Sequence, residues 1–221
     1  MLVMKQIKDW LEMEEHLEEV VILDIQHCYN FDANDHTNLM MKLWNKFPNM
    51  LCSWQQDPQN LTIKNLHKVG TRVIVIYPAL FCRKYFIDGQ WTLFPDQEMT
   101  KYFWPRNSCP TPWPDTMNTR TLVSFLTDNL SRRQHQHQCK SPLYVSQGIL
   151  TPSWRTVVCH PTSNVKNQCS EKCKKPISDW ISEVSEDKMP PNIVITDFVS
   201  KDIVTKVINL NFSTYCKVKS F

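Results

Sequence analysis

No stretch of this chain approaches the roughly 20 consecutive apolar residues that cross a bilayer as a helix. The longest apolar run, Val73 to Phe81, stops far short of that. Blocks of one charge are missing too. No Lys/Arg cluster exceeds Arg132-Arg133 or Lys174-Lys175, and the net charge is only +3. The electrostatic footprint of a nucleic-acid binder is therefore absent, and no nucleic-acid partner is expected. Nine cysteines are present without a single Cys-x-x-Cys pair. Cys169-x-x-x-Cys173, with His160 nearby, has no second pair to complete a zinc tetrad, so thiols or disulfides are expected and no metal site. Internal repeats are lacking, and low complexity is confined to Gln134 to Gln138. The N-terminal segment turns charged at Lys5 and stays so to Glu19, so no signal peptide is visible. That favours a cytoplasmic setting. Sequons at Asn60, Asn129 and Asn211 leave the compartment open.

What is there is globular composition, 42% hydrophobic and 21% charged over 221 residues, which suits one domain of ordinary size. Met4, Ile7, Trp10 and Leu11 recur at helical spacing over residues 4–15. Glu19 to Ile25 then reads as a strand buried on both faces, as near-continuous β-branched runs do in parallel sheets. Asp35 is placed to cap a helix over about His36 to Lys46 that buries Leu39, Met40, Leu43 and Trp44, and Pro48 follows its end. Leu51 to Trp54 reads as a short strand, and Thr62 opens a short helix to Lys68.

Thr71 to Tyr77 is the second strong strand, stopped by Pro78. An irregular stretch rich in proline and aromatics follows to Asn118, longer than is usual inside a compact domain. Thr119 to Arg133 is helical, with Leu122, Phe125, Leu126 and Leu130 on one face. Pro142 to Leu150 is a strand, Cys169 to Glu186 mostly helix, and Pro191 to Val199 the last strand. Ser200 caps a final helix to about Asn209. Residues 1–211 thus read as one domain and 212–221 as a tail.

This alternation argues for an α/β fold with a parallel sheet, about five strand–helix units long. Chemistry in such folds lies at the carboxyl ends of the strands. Those ends are here Asp24 to His27, Tyr77, Ser146-Gln147 and Asp197.

Four segments at these ends carry a resemblance. Val20 to Tyr29, reading VVILDIQHCY, is similar to a strand of the X-domain proteins related to phosphatidylinositol-specific phospholipase C. Trp104-Pro105 with Pro112-Trp113-Pro114 resembles that family's Pro-Trp loop. Val145 to Pro152, VSQGILTP, resembles its next strand, and Asn192 to Val199 with Val207 to Asn211 its terminal strand and helix. The four occur in the family's order over residues 4 to 211.

The resemblance implies a (β/α) TIM-type barrel that cleaves phosphodiesters with two histidines, one as base and one as acid, since an imidazole titrates near working pH. In the family both histidines precede the segment that resembles residues 4–15. The two histidine motifs are not found in this sequence. A full barrel takes roughly 250 residues, so the expectation is an incomplete barrel with its first three strands missing, open at two sheet edges. A protein partner covering those edges is a candidate.

Of the remaining candidates, His27 lies at a strand's carboxyl end and reads as a structural or substrate-facing histidine. His16 and His36 stand in charged helix-end sequence and read as solvated. Gln26 is a neutral amide where calcium-dependent relatives carry a carboxylate, which implies the calcium-independent branch and no cofactor. Asp197 resembles the carboxylate that orients the first histidine, a supporting role, or else caps the helix after Ser200. Tyr77, Gln147 and Arg83 complete the substrate-binding set, Arg83 by reaching toward phosphate. Trp91, Trp104 and Trp113 form either a membrane-dipping rim or the cover of the barrel mouth.

Two readings of function follow. One is a phosphoric diester hydrolase-like protein of lipid metabolism, inactive as it stands, with a phosphoinositide or other phospholipid headgroup as partner. The alternative is a non-catalytic lipid-binding or regulatory module with peripheral membrane contact, or a truncated isoform.

Overall fold

The computed structural model describes residues 2–54, 61–77, 84–87, 90–93, 101–135, 143–159, 162–184 and 191–218. They fall into two compact units divided between Pro110 and Thr111.

The first unit runs α1 (Leu2–Leu11), β1 (Val21–Asp24), α2 (Ala33–Lys46), α3 (Ile63–Lys68), β2 (Val73–Tyr77), β3 (Lys84–Ile87), β4 (Gln90–Leu93) and β5 (Phe103–Pro105). Three of its strands make a parallel sheet in the order β1-β2-β5, with Val21 beside Val73 and Val75 beside Phe103. The strands β3 and β4 form a separate antiparallel hairpin.

The helices start where their side chains satisfy free backbone amides. Asp32 and Asp35 form a reciprocal capping box at the start of α2, so the cap is Asp32 and the expected cap, Asp35, is its partner three residues on. Thr62 caps α3 as the sequence predicts. Leu11, Met40, Leu43 and Phe47 meet Val73, Val75, Tyr77 and Phe103 in one core. Each such side chain contributes about 1.5–3 kcal/mol of burial.

Two expectations for this unit change. Leu51 to Trp54 is not a strand but makes a single bridge, Leu51 to Val73. The Cys52 amide donates to the Val73 carbonyl at 2.7 Å, and that edge of β2 then passes to β5 from Val75 onward. The strand lost at Leu51 is therefore replaced by Phe103–Pro105, inside the stretch read as irregular.

The second unit runs α4 (Thr119–His135), β6 (Val145–Gln147), α5 (Trp154–Cys159), a π-helical turn (Lys166–Ser170), α6 (Glu171–Val184), β7 (Ile193–Ile195) and α7 (Lys201–Val218). The strands β6 and β7 pair in parallel, Val145 beside Ile193. Both are shorter than the runs read from the sequence. Their flanks are held by other bonds: the Asn192 Oδ1 accepts from the Tyr144 amide, and the Gly148 amide donates to the Ile195 carbonyl.

Gly148 leaves this strand against α6. A Cβ there would stand 3.1 Å from the Ile177 side chain, which explains a glycine where β6 packs on the helix. Leu122, Leu126 and Leu130 of α4 pack with Ile177, Trp180 and Ile181 of α6 in this unit's core. Ser200 caps α7, accepting from the Ile203 amide. That helix continues to Val218, past Asn209 and through most of the stretch read as a tail.

The chain is thus an α/β protein, and among the described residues its parallel strands number three in the first unit and two in the second.

Candidate functional site

In the first unit the carboxyl ends of β1 and β5 bring three polar side chains together. Asp24 ends β1, and Arg106 opens the 3₁₀ turn that follows β5. The Arg106 Nη1 donates to Asp24 Oδ1, while the Gln26 Nε2 donates to Asp24 Oδ2 at 2.8 Å. About a third of the Arg106 side chain is open to solvent, so the pair stands at the surface, where a guanidinium can also meet an arriving anion.

Beside it, at the end of β2, Tyr77 is wholly buried and its hydroxyl lies 2.9 Å from His36 Nδ1. The Cys28 thiol bonds the same hydroxyl. Phe31 packs its ring edgewise on His36, with centroids 5.3 Å apart. Burial holds the imidazole below its ordinary pKa, against the opposing pull of the Asp35 and Asp32 carboxylates, and burial pushes the Cys28 thiol up. His36, 6% exposed, is therefore a core histidine and not the solvated one expected from its charged neighbours. His27 is exposed and stacks on Tyr29, ring centroids 5.7 Å apart.

In the second unit Gln147 ends β6 and turns its amide to the Pro-Trp loop, donating to the Thr111 and Pro112 carbonyls at 2.8 and 3.2 Å. Trp113 of that loop donates its indole N–H to Thr151 Oγ1 at 2.8 Å and keeps 58% of its surface exposed. Three residues on, Trp154 is 71% exposed with the Arg155 guanidinium over its ring.

Asp197 follows β7. Its backbone carbonyl accepts from Ser170 Oγ at 2.7 Å, and its carboxylate has no hydrogen-bond partner among the described residues. The capping reading fails for it, since Ser200 does that work. Its charge acts instead on two core thiols. Burial, helped by Asp197, pushes Cys169 up and takes Cys173 to about 11.

The structure corrects the rim. Trp104 is 0% exposed, with its indole N–H donating to the Cys52 carbonyl at 2.8 Å, so it is core and not a membrane contact. Trp91 stands in β4. Arg83 lies outside the described residues. Sequence reasoning missed two residues, Arg106 and Trp154. Arg106 becomes legible once Phe103–Pro105 is a strand, because it then stands at a carboxyl end like the others.

Among the described residues no group of three or more His, Cys, Asp and Glu converges as metal ligands would. No described helix is long and apolar enough to cross a membrane. Cys28, Cys52, Cys159, Cys169 and Cys173 are free thiols.

No family model and no solved structure matches the chain. Curated proteins do. PI-PLC X domain-containing protein 2 of Mus musculus is 28% identical over 200 residues, covering 90% of this chain and 53% of its own length. PI-PLC X domain-containing protein 3 of Homo sapiens is 26% identical, with 90% and 56% covered. PI-PLC X domain-containing protein 1 of Homo sapiens is 26% identical, with 93% and 56% covered. The chain spans about half the length of the curated relatives it matches. The strand-end segments and these relatives agree: over about 90% of its length the chain is similar to PI-PLC X domain-containing proteins.

Proposed function

We propose that this chain is a phosphoric diester hydrolase-like protein of lipid metabolism that holds a phospholipid headgroup without hydrolysing it. The observation that carries the reading is the Asp24–Gln26–Arg106 cluster at the carboxyl ends of β1 and β5. A guanidinium at the surface suits a phosphate, and a carboxylate with an amide beside it suits the hydroxyls of a sugar-like headgroup. In this reading the five parallel strands are part of a barrel of the TIM type.

Phosphodiester cleavage by the family's route needs one imidazole at the nucleophile and another at the leaving oxygen. His27 is stacked on Tyr29, and His36 is buried behind Tyr77, so neither is paired for that work. Asp197 keeps the place of an orienting carboxylate, but no histidine bonds to it among the described residues. Calcium is not required. Gln26 offers a neutral amide, and the Asp24 carboxylate is already engaged by Arg106.

Trp113 and Trp154 supply the membrane contact, since exposed indoles favour the lipid interface. Ile22, on the outer edge of β1, marks where a protein partner would cover the sheet.

The test uses vesicles with and without phosphatidylinositol. Co-sedimentation is expected to fall about tenfold with Arg106→Gln, in line with one lost charged hydrogen bond. No hydrolysis above background is expected. Turnover of inositol phospholipid that His27→Ala abolishes would overturn the inactive reading.

A further inference from the structure

The opposite edge of the same sheet carries a cavity that the headgroup reading does not use. Leu51 bridges the first residue of β2, and Tyr102 immediately precedes β5, so both stand at the amino ends of the strands. Between them and the end of α2 lies a pocket of about 390 Å³. That is within the roughly 300–1,000 Å³ typical of small-molecule sites.

Its lining has a definite chemistry. Trp44 and Tyr102 form an aromatic wall, ring centroids 5.2 Å apart and tilted by 57°. Phe47 and Leu51, both buried, lie beneath. Asn45 and Asn49 add two amides, and neither side chain bonds another group among the described residues. Asn49 holds a left-handed backbone, φ 63°, after Pro48, a conformation that asparagine tolerates better than most residues. No Asp, Glu, Lys or Arg is among the described lining residues, and the ammonium of Lys101, next in the chain to Tyr102, stands over the Tyr102 ring, 5.4 Å from its centroid.

Each feature narrows the ligand. With no charged side chain among the described lining residues and the Lys101 ammonium taken up over the Tyr102 ring, an ionic ligand is disfavoured, since it would lose its hydration for little counter-charge. Indole and phenol faces stack on planar rings. A carboxamide offers a donor and an acceptor side by side, the pattern that reads the N6/N7 edge of adenine. A purely apolar ligand would leave both amides unmatched.

From this we infer that the amino-edge pocket binds a neutral purine-type heteroaromatic, as a free base or a nucleoside. The site is independent of the headgroup reading, because it stands at the other end of the strands from Asp24 and Arg106.

The test is calorimetric titration of the full chain with adenine, adenosine and adenosine monophosphate. Adenine and adenosine are expected to bind saturably below millimolar concentration, and the monophosphate no more tightly than adenosine. Asn49→Gly keeps the left-handed backbone without strain and removes the amide, while Asn45→Ala changes an exposed helical position. Each is expected to weaken adenosine about fivefold, the loss of one hydrogen bond. Trp44→Leu is expected to weaken it about tenfold or more, the loss of a stacking surface. Asp24→Asn, at the opposite edge, is expected to leave adenosine binding unchanged while it alters vesicle binding.

Absence of saturable adenine and adenosine binding at millimolar concentration would overturn the assignment. So would binding indifferent to both asparagine substitutions, or a monophosphate bound far more tightly than adenosine, which would require a cationic site.

Discussion

The strands β1 and β2 are written in nearly the same residues, VILD and VIVIY, yet they have different fates. β2 has β1 on one side and β5 on the other, and all its residues are buried. β1 pairs on one side only, and Ile22 is 38% exposed. In the second unit β6 and β7 have only each other as strand neighbours, yet Val145 and Ser146 of β6 are buried while Ile195 of β7 is 39% exposed, so there the packing of helices on the strand faces makes the difference. An apolar run thus shows the capacity for burial. What lies along its edges and over its faces decides whether that capacity is used, and a half-used strand marks a surface open to further contact.

The most direct way to break this comparison is to shorten one isoleucine in each strand. Ile76→Ala is expected to cost roughly 2–5 kcal/mol, transfer and cavity terms together. Ile22→Ala is expected to cost under about 1 kcal/mol. Urea unfolding midpoints measure both. Equal losses would mean that the outer edge of β1 is covered in solution, which is the partner reading in another form.

Next in size is Tyr77→Phe, which removes the hydroxyl and leaves the buried His36 Nδ1 without it. The expected loss is about 1–3 kcal/mol. The corresponding change at the surface of the second unit, Thr151→Val, frees only the half-exposed Trp113 N–H, which water can take up. It should cost no more than about 0.5 kcal/mol.

A pH series sharpens the same contrast between buried and exposed groups. Burial lowers the His36 pKa below its ordinary value of 6.5. Above that value the folded and unfolded chains both hold the ring neutral, and the full stability is present. As pH falls through 6.5 toward the folded pKa, the unfolded chain binds the proton more readily, so stability is lost. Denaturation midpoints across that window should decline. His36→Gln should flatten the decline, whereas His27→Gln, at an exposed ring, should leave it in place.

Much of the local architecture was legible. Thr62 and Ser200 cap their helices because a short oxygen side chain at that position meets free amides within its own turn. The strand cores at Val21, Val73 and Ile193 fall inside apolar β-branched runs, and Val145 lies inside the run from Pro142 to Leu150 that reads as a strand. Tyr77 and Gln147 end their strands as read, and the family relation rests on these segments in order.

What was not legible depended on distant partners. Phe103–Pro105 is three residues with a proline and no β-branched run, so only the free edge of β2 makes it a strand. Arg106 therefore went unnoticed, standing 82 positions from the Asp24 that it pairs with. Trp104 and Trp113 look alike as Trp-Pro motifs. One indole is covered by the core of its unit and the other is left outside, and no feature of the dipeptides separates them.

His36 shows the limit most plainly. Its charged neighbours, Asp32 and Asp35, belong to a capping box at the helix start, while the ring itself turns inward to Tyr77. The sequence by itself determined where helices begin, which runs could become strands, and to which family the chain is related. Those are matters of neighbours within a turn or a strand, where capping oxygens and apolar periods act over a few residues. Only the tertiary structure decided which strand was covered on both edges, which tryptophan faced outward, and which arginine met Asp24. Those depend on groups far apart along the chain that come together only when the sheet has formed.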